Sequence, residues 1–146
     1  MSDINKEIKT VVTDGQDLEE KAEKLKADGV EEVRVVVNTF NYTRYSQSND
    51  GKELQPVIDG INKAVGLGLG IRLEVGLKEG FNDDEILDFL QLTLLHNYDI
   101  VFLPTIDYDI IRKAMPALRQ VKGDFGDVEM FKYPMAKGRI GFMKNR

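Results

Sequence analysis

The sequence predicts an α/β fold made of about four parallel β/α units, which is either half of a larger fold or a small open sheet. Short β-branched and apolar runs alternate with helical patterns at a spacing of roughly thirty residues. The run Glu32–Val37 is apolar on both faces after Arg34, a pattern typical of a parallel sheet covered on both sides. A closed eight-stranded barrel typically takes ~250 residues, whereas this chain has 146.

The first two units show both kinds of pattern. Ile8–Val12 is a β-branched run that predicts a strand, and a helical segment begins after it at Asp17. Asp17 and Glu20 have the spacing of a capping box at the start of that helix. The second strand, Glu32–Val37, is followed by residues 38–52, which we predict to be a long polar loop of functional or mobile character.

The third and fourth units repeat the alternation. An amphipathic helix follows the loop, with apolar residues on one face: Leu54, Ile58, Ile61 and Val65. Ile71–Leu77 and Ile100–Leu103 predict the third and fourth strands. The helix between them begins near Asp83 and is expected to bury four residues: Ile86, Leu87, Leu90 and Leu94. A short helix capped by Asp107 and ended by Pro116 follows the fourth strand.

The pattern changes towards the carboxyl end of the sequence. Val128–Tyr133 and Gly138–Met143 predict two extended segments joined by a proline-containing turn, which would form a hairpin or an arm. We therefore predict one domain over residues 1–146, with β/α units over 8–120 and a β extension over 121–146.

Composition excludes several classes of protein. Hydrophobic residues make up 42% of the chain and charged residues 31%, as in globular proteins. The net charge is −5, and Lys and Arg are scattered among Asp and Glu, so we expect no nucleic-acid partner. Apolar runs are too short for a bilayer span, and no signal-peptide pattern is present, so no membrane association and a cytoplasmic location are expected. The absence of cysteine excludes disulfides and zinc knuckles within these residues.

Two glycine-containing segments bear on phosphate or metal binding. Gly66–Gly70 follows a helix and precedes a strand, the reverse of the order that places phosphate at a helix N-terminus, so we interpret it as a C-cap and turn. Gly80–Glu85 has the right order, with Asn82 as the predicted cap. Its three acidic residues would repel phosphate and favour the positive end of a helix. Because adjacent helical positions point in different directions, capping explains these acids better than metal binding does.

Other residues allow both a structural and a functional interpretation. His96, the only histidine, lies near a predicted helix end, where a dipole-stabilising or solvated role is favoured over catalysis. Three aromatic residues of the predicted loop could stack on a base, but burial under the loop is favoured: Phe40, Tyr42 and Tyr45. Arg72 and Glu74 share one face of their strand, which fits either a polar barrel interior or a surface ion pair.

Several segments, collinear over about residues 8–143, match one known family. Val11–Gly15 is similar to a strand and Thr-Asn-Gly turn, and Val33–Asn38 to a strand ending in Ser-Leu-Asp. Gly80–Ile86 is close to Gly-Val-Asn-Asp-Asp-Glu-Ile, and Lys137–Phe142 to Lys-Gly-Arg-Ile-Gly-Phe. Together these segments resemble the second half of the partial TIM-type barrel of the radical SAM GTP 3′,8-cyclases of molybdenum-cofactor biosynthesis.

The chain also departs from that family. The amino-terminal Cys-x-x-x-Cys-x-x-Cys motif, the carboxy-terminal cluster cysteines and the Arg-rich substrate segment are all missing from it. Asn38, Thr39 and Phe40 replace Ser-Leu-Asp, and Asp14 replaces Asn. Arg72 falls where the family has a Lys facing the substrate triphosphate, so positive charge is retained.

The resemblance implies a radical-SAM-like domain without a cluster of its own, because iron–sulfur clusters need thiolate ligands. We therefore expect no autonomous radical SAM activity and leave open whether the chain is an enzyme. The resemblance leaves open whether this chain binds S-adenosylmethionine or GTP. The ligand would lie at the carboxyl ends of the strands, and the residues predicted to bind it are Thr13, Asn38, Arg72, Lys78 and Thr105.

Three functions fit the sequence. The first is a non-catalytic nucleotide-binding or interaction domain. The second is a subunit of a split radical SAM enzyme whose cluster-bearing half is another chain. The third is an unrelated small α/β binding or structural protein, or a remnant. A half-barrel exposes its inner face and sheet edges, which proteins usually cover or pair, so we expect a homo-oligomer or a cluster-bearing partner chain.

Overall fold

The computed structural model describes residues 9–105, 107–113, 117–122 and 128–143. Within these residues the strands are β1 (Thr10–Thr13), β2 (Glu32–Val36), β3 (Gly70–Val75), β4 (Asp99–Phe102), β5 (Arg119–Val121), β6 (Val128–Lys132) and β7 (Ile140–Met143). The helices are α1 (Leu18–Ala27), α2 (Tyr42–Ser48), α3 (Gln55–Gly66), α4 (Ile86–Leu95) and α5 (Tyr108–Lys113), and a 3₁₀ turn at Asp83–Glu85 precedes α4.

The seven strands form one sheet in the order β1-β2-β3-β4-β7-β6-β5. β1 to β4 are parallel neighbours in chain order, and β7 is parallel to β4. β6 is antiparallel to both β7 and β5. The predicted α/β fold of four parallel β/α units with a β extension is therefore confirmed. Ile8 and Pro116, assigned from the sequence to the first strand and to the end of the last helix, lie outside the described residues.

The main hydrophobic core lies between the sheet and its helices. Alternate strand residues such as Val33, Leu73 and Phe102 pack there with helix residues such as Ala22 and Leu90. The two neighbouring helices α1 and α3 approach closely at Gly60, where a Cβ atom would lie 2.7 Å from Leu18 Cβ. A larger residue at this position would push the two helices apart.

The opposite side of the sheet, here called the open face, is only partly covered. Strand register places Val12, Arg34, Arg72 and Asp99 in one row on this face. Val12 is 62% exposed and Val36, further along β2, is 40% exposed. A small apolar cluster of Val101, Val128 and Met130 lies on this face at β4 and β6, on either side of β7. Because Val36 is exposed, the prediction that both faces of β2 are buried is wrong at this residue.

Helix α4 is rotated relative to the prediction. Its buried residues are Phe89, Leu90 and Thr93, whereas Leu87 is 63% exposed and Leu94 40% exposed. Apolar residues lie on nearly every side of this helix, so its sequence pattern does not single out the face that packs on the sheet. The prediction that Leu87 and Leu94 are buried is wrong.

Residues 38–52 contain a helix that the sequence analysis did not predict. Asn41 caps α2, because its side chain accepts a hydrogen bond of 3.0 Å from Arg44 N. The predicted capping box of α1 is absent: Asp17 makes no side-chain cap bond and instead lies 3.4 Å from Lys21 Nζ. Among the described residues no helix is long and apolar enough to cross a membrane.

The carboxy-terminal segment forms the predicted hairpin, with β7 seated between β4 and β6. Gly138 allows this placement, since a Cβ atom there would collide with Tyr98 O. The backbone N–H groups of Lys137 and Gly138 both donate to Thr93 O, at 3.0 and 2.8 Å, and so cap α4. The C-cap interpretation of Gly66–Gly70 is also confirmed, because α3 ends there and Gly68 has φ +85°.

Candidate functional site

Four of the five predicted ligand residues lie at one edge of the sheet. Thr13 is the last residue of β1, and Asn38, Lys78 and Thr105 follow the ends of β2, β3 and β4. Because these strands are parallel, their carboxyl ends share an edge, which is where α/β sheets and barrels place their ligands. Arg72 is not at this edge. It lies three residues before the end of β3, about 10 Å along the strand.

Three of the four side chains at this edge support its loops. Thr13 Oγ1 accepts from Gly15 N at 3.0 Å, and Asn38 Oδ1 accepts from Gly76 N at 2.8 Å. Thr105 Oγ1 donates to Leu77 O at 2.6 Å. Lys78 is exposed, and no described carboxylate lies within 4.0 Å of its ammonium group. Lys78 is therefore the side chain at this edge best placed to meet an anionic ligand.

Asn82 joins two of the loops at the carboxyl edge. It is fully buried, and its amide group donates to Asn38 O and, at 3.0 Å, to Gly76 O. Its Oδ1 accepts from Lys78 N at 2.6 Å. Asn82 makes no side-chain cap bond to the 3₁₀ turn that follows it, so the predicted cap is wrong. Its role is to cross-link the β2–α2 loop to the β3–α4 connection.

Glu85 forms a second cross-link beside Asn82. This buried carboxylate accepts from Thr39 Oγ1 at 2.6 Å, from Phe40 N at 3.0 Å and from Arg44 Nη1 at 3.0 Å. Arg44 also binds Asp84 through both terminal nitrogens, at 2.7 and 2.9 Å. These hydrogen bonds lower the pKa of Asp84 and raise the pKa of Arg44. Two of the three acids predicted as caps are thus neutralised by one arginine.

A row of charged residues crosses the amino-terminal half of the open face. Arg34 Nε lies 2.9 Å from Glu32 Oε1 on β2, and Arg139 binds both carboxylate oxygens of Asp99, with Nη2 to Oδ2 at 2.7 Å. Arg72 lies between these pairs and is buried, with 2% of its surface exposed. Burial lowers the pKa of Arg72, and the nearby Glu32 carboxylate opposes that shift. Of the two interpretations of Arg72 and Glu74, the burial of Arg72 favours a polar interior.

The aromatic residues and His96 have structural contacts. Tyr45 is buried and its hydroxyl accepts from Gln16 Nε2 at 2.9 Å. Phe40 packs edge-on to Phe89, with ring centroids 5.6 Å apart. His96 stacks on Tyr98 at 5.2 Å. Tyr42 is the exposed member of the loop aromatics. These contacts favour the structural interpretation of Phe40, Tyr45 and His96.

The donor set does not fit an iron–sulfur cluster. The 146 residues include no cysteine and therefore supply no thiolate. Within the described ranges there is also no group of three or more His, Cys, Asp or Glu side chains that could hold a metal ion. No chemical step is therefore assigned to such a group in this chain.

Parallel strands with helices on one side and an open face on the other define a partial α/β barrel. No family model matches the chain. It is 32% identical to the GTP 3′,8-cyclase of Peptoclostridium acidaminophilum, over 92% of this chain and 47% of that protein. It is 26% identical to the enzyme of Alkaliphilus metalliredigens, over 91% and 47% of the two chains. Identity to the enzyme of Listeria monocytogenes is 39%, over 64% of this chain and 28% of that protein.

These similarities confirm the resemblance drawn from the sequence. The chain is a relative of the GTP 3′,8-cyclases and spans about half the length of the curated relatives it matches.

Proposed function

We propose that this chain is a non-catalytic domain of the cyclase family that binds a guanine nucleotide at the carboxyl edge of β1–β4 without converting it. Its relatives are named for acting on GTP, and the chain lacks the thiols that radical SAM chemistry requires. The observation that carries the proposal is the preformed edge at which Thr13, Asn38, Lys78 and Thr105 lie together.

Rigidity at this edge supports binding. Asn82 and Glu85 fix the β2 and β3 loops through buried hydrogen bonds, so a ligand would not need to order these loops. A preorganised site loses less conformational entropy on binding. Arg44 compensates the charge of Asp84 and Glu85, which reduces their repulsion of a phosphate near Lys78.

Isothermal titration calorimetry of the full chain with GTP and, separately, with S-adenosylmethionine tests the proposal. We expect saturable binding of GTP, and Lys78→Ala should weaken it by about tenfold, the loss of roughly one charged contact. Lys52→Ala is the matched control, since Lys52 is exposed on the turn between α2 and α3. No heat with GTP at millimolar concentration, or equal affinity of the Lys78 and Lys52 variants, would contradict the proposal.

A second candidate is a subunit of a split radical SAM enzyme. The observation that favours it is the exposure of Val12 and Val36 on the open face, because a closed barrel would cover this inner surface. On this proposal a cluster-bearing chain supplies the thiolates and packs against β1 and β2. Mixing the two chains with S-adenosylmethionine and a one-electron reductant should then give methionine and 5′-deoxyadenosine. Val36→Lys should abolish this cleavage while leaving the cluster-bearing chain's own spectrum unchanged. Product formation that is unaffected by Val36→Lys would contradict this arrangement.

A further inference from the structure

A cavity of about 430 Å³ lies at the amino end of the parallel strands, away from the carboxyl edge. The first residues of β2, β3 and β4 all line it, namely Glu32, Gly70 and Asp99. Its volume falls in the range of ~300–1,000 Å³ that small-ligand sites occupy. We call it the amino-end cavity. Because β3 has six residues, this cavity lies roughly 17 Å from the carboxyl edge.

Two turns of the chain contribute to the lining of the amino-end cavity. The turn between α3 and β3 supplies Gly68 and Leu69, whose backbone N–H groups already donate to the last turn of α3 at 3.0 Å. The β6–β7 hairpin supplies Lys132 at the end of β6, Lys137 in the turn and Arg139 just before β7. The side chains of this hairpin, rather than the amides of the glycine turn, are therefore the groups that can bind a ligand.

The charges around the cavity do not cancel. Both acids of the lining are paired with arginines, since Arg34 Nε lies 2.9 Å from Glu32 Oε1 and Arg139 Nη2 lies 2.7 Å from Asp99 Oδ2. The two lysines of the hairpin differ from these pairs, because no carboxylate of the described residues lies within 4.0 Å of either ammonium group. The cavity therefore carries two positive charges that the described part of the chain does not compensate.

We propose that the amino-end cavity binds a small organic phosphate monoester, with its phosphate group held by Lys132 and Lys137. A phosphate monoester carries about 1.5–2 negative charges near neutral pH, which match the two ammonium groups. Lysine binds phosphate as a point charge with three donors. Apolar residues of the same lining provide contacts for the organic group: Val65, Leu69 and Ile71.

Titration of the full chain with phenyl phosphate, followed by two-dimensional ¹H–¹⁵N NMR, tests the proposal. We expect saturable shifts of amides that line the cavity, such as Gly68, Gly70 and Asn97, with a dissociation constant on the order of millimolar. Inorganic phosphate lacks the organic group and should shift the same amides with weaker affinity. Constant ionic strength keeps general charge screening out of the comparison.

Charge variants test which side chains hold the phosphate group. Lys132→Ala/Lys137→Ala should weaken phenyl phosphate binding by at least about tenfold, whereas Lys52→Ala, at an exposed lysine far from the cavity lining, should leave it unchanged. Asp99→Asn should tighten binding by about threefold, because it removes a negative charge beside the phosphate. An asparagine oxygen can still accept the hydrogen bond from Arg139 N, so this variant also tests the site without loss of that contact.

The outcome is separable from that of the proposed nucleotide binding. None of the four predicted ligand residues at the carboxyl edge lines the amino-end cavity, so Lys78→Ala should leave the phenyl phosphate titration unchanged whether or not GTP binds. Shifts confined to the carboxyl edge, equal affinities for phenyl phosphate and inorganic phosphate, or a lysine double variant that binds as tightly as Lys52→Ala would each overturn the proposal. Weaker binding by Asp99→Asn would do the same.

Discussion

The two ends of the parallel strands use polar side chains in different ways. At the carboxyl end, Asn82 and Glu85 are buried and bind mainly loop backbone, so they hold connections of the chain in place. At the amino end, the side chain of Arg139, just before β7, pairs with Asp99 of the neighbouring β4, which also accepts from Arg139 N. The carboxyl end is therefore held by hydrogen bonds that water cannot replace, and the amino end by ion pairs that water partly screens.

The largest effect is expected from Glu85→Ala. The substitution leaves Thr39 Oγ1 and Phe40 N without their acceptor and removes one partner of Arg44, so we expect a loss of about 3–4 kcal/mol in the free energy of unfolding. Urea denaturation followed by circular dichroism measures it. Asp84→Ala, at an exposed member of the same cluster, should cost much less, and equal losses would remove the distinction between the buried and exposed carboxylates.

Asn82→Asp tests whether the stability of the carboxyl end depends on the hydrogen bonds that the Asn82 amide group donates. A carboxylate accepts only, and here it would face Asn38 O and Gly76 O, so we expect a loss of about 2–3 kcal/mol at neutral pH. The same measurement on Asn62→Asp, at an exposed position of α3, is the control. A stability equal to that of the control would show that the amide hydrogen bonds do not join these loops.

Tyr98, just before β4, gives the amino end an alkaline pH dependence. Burial raises the pKa of Tyr98 to about 12, whereas an unfolded tyrosine titrates near pH 10. The unfolded state therefore loses its proton first, and stability falls between about pH 10 and pH 12 by about 1.4 kcal/mol per pH unit. Urea midpoints measured from pH 9 to 11.5 should fall less steeply for Tyr98→Phe, and identical slopes would contradict the burial effect.

Arg139→Lys should have the smallest effect of the four. A lysine cannot reproduce the two-point contact with Asp99, so we expect a loss of about 1 kcal/mol. Lys21→Gln, which removes an exposed pair on α1, provides the comparison and should give no measurable change. A loss at Arg139 as large as that at Glu85 would mean that the two ends are equally dependent on buried polar contacts.

Local pattern was enough to predict most of the elements. Alternation and composition gave the parallel strands, and the shared edge of parallel strands placed Thr13, Asn38, Lys78 and Thr105 together. α2 was missed because Asn41 was not recognised as a cap within a polar stretch. The buried face of α4 was predicted wrongly because a helix that is apolar nearly all round has no single preferred face.

The cross-links of the site could not be predicted in the same way. Arg44 and Glu85 are 41 residues apart in the chain, and Asn82 binds backbone atoms of a loop 44 residues away. Contacts at this separation depend on the folded topology and not on local propensity. The one available signal was Gly80–Ile86, whose resemblance to a family motif marked the segment without indicating its partners.

The position of β7 has a consequence for how the sheet assembles. This strand follows β5 and β6 in the chain, yet it lies between them and β4. The β5–β6 pair therefore has no docking strand until residues 140–143 are in place, whereas β2, β3 and β4 each pair with the strand before them in the chain. Folding rates fall as contacting segments become more distant in sequence. We expect the four β/α units to form early and protect their amides from hydrogen exchange first, with β5 and β6 acquiring protection last.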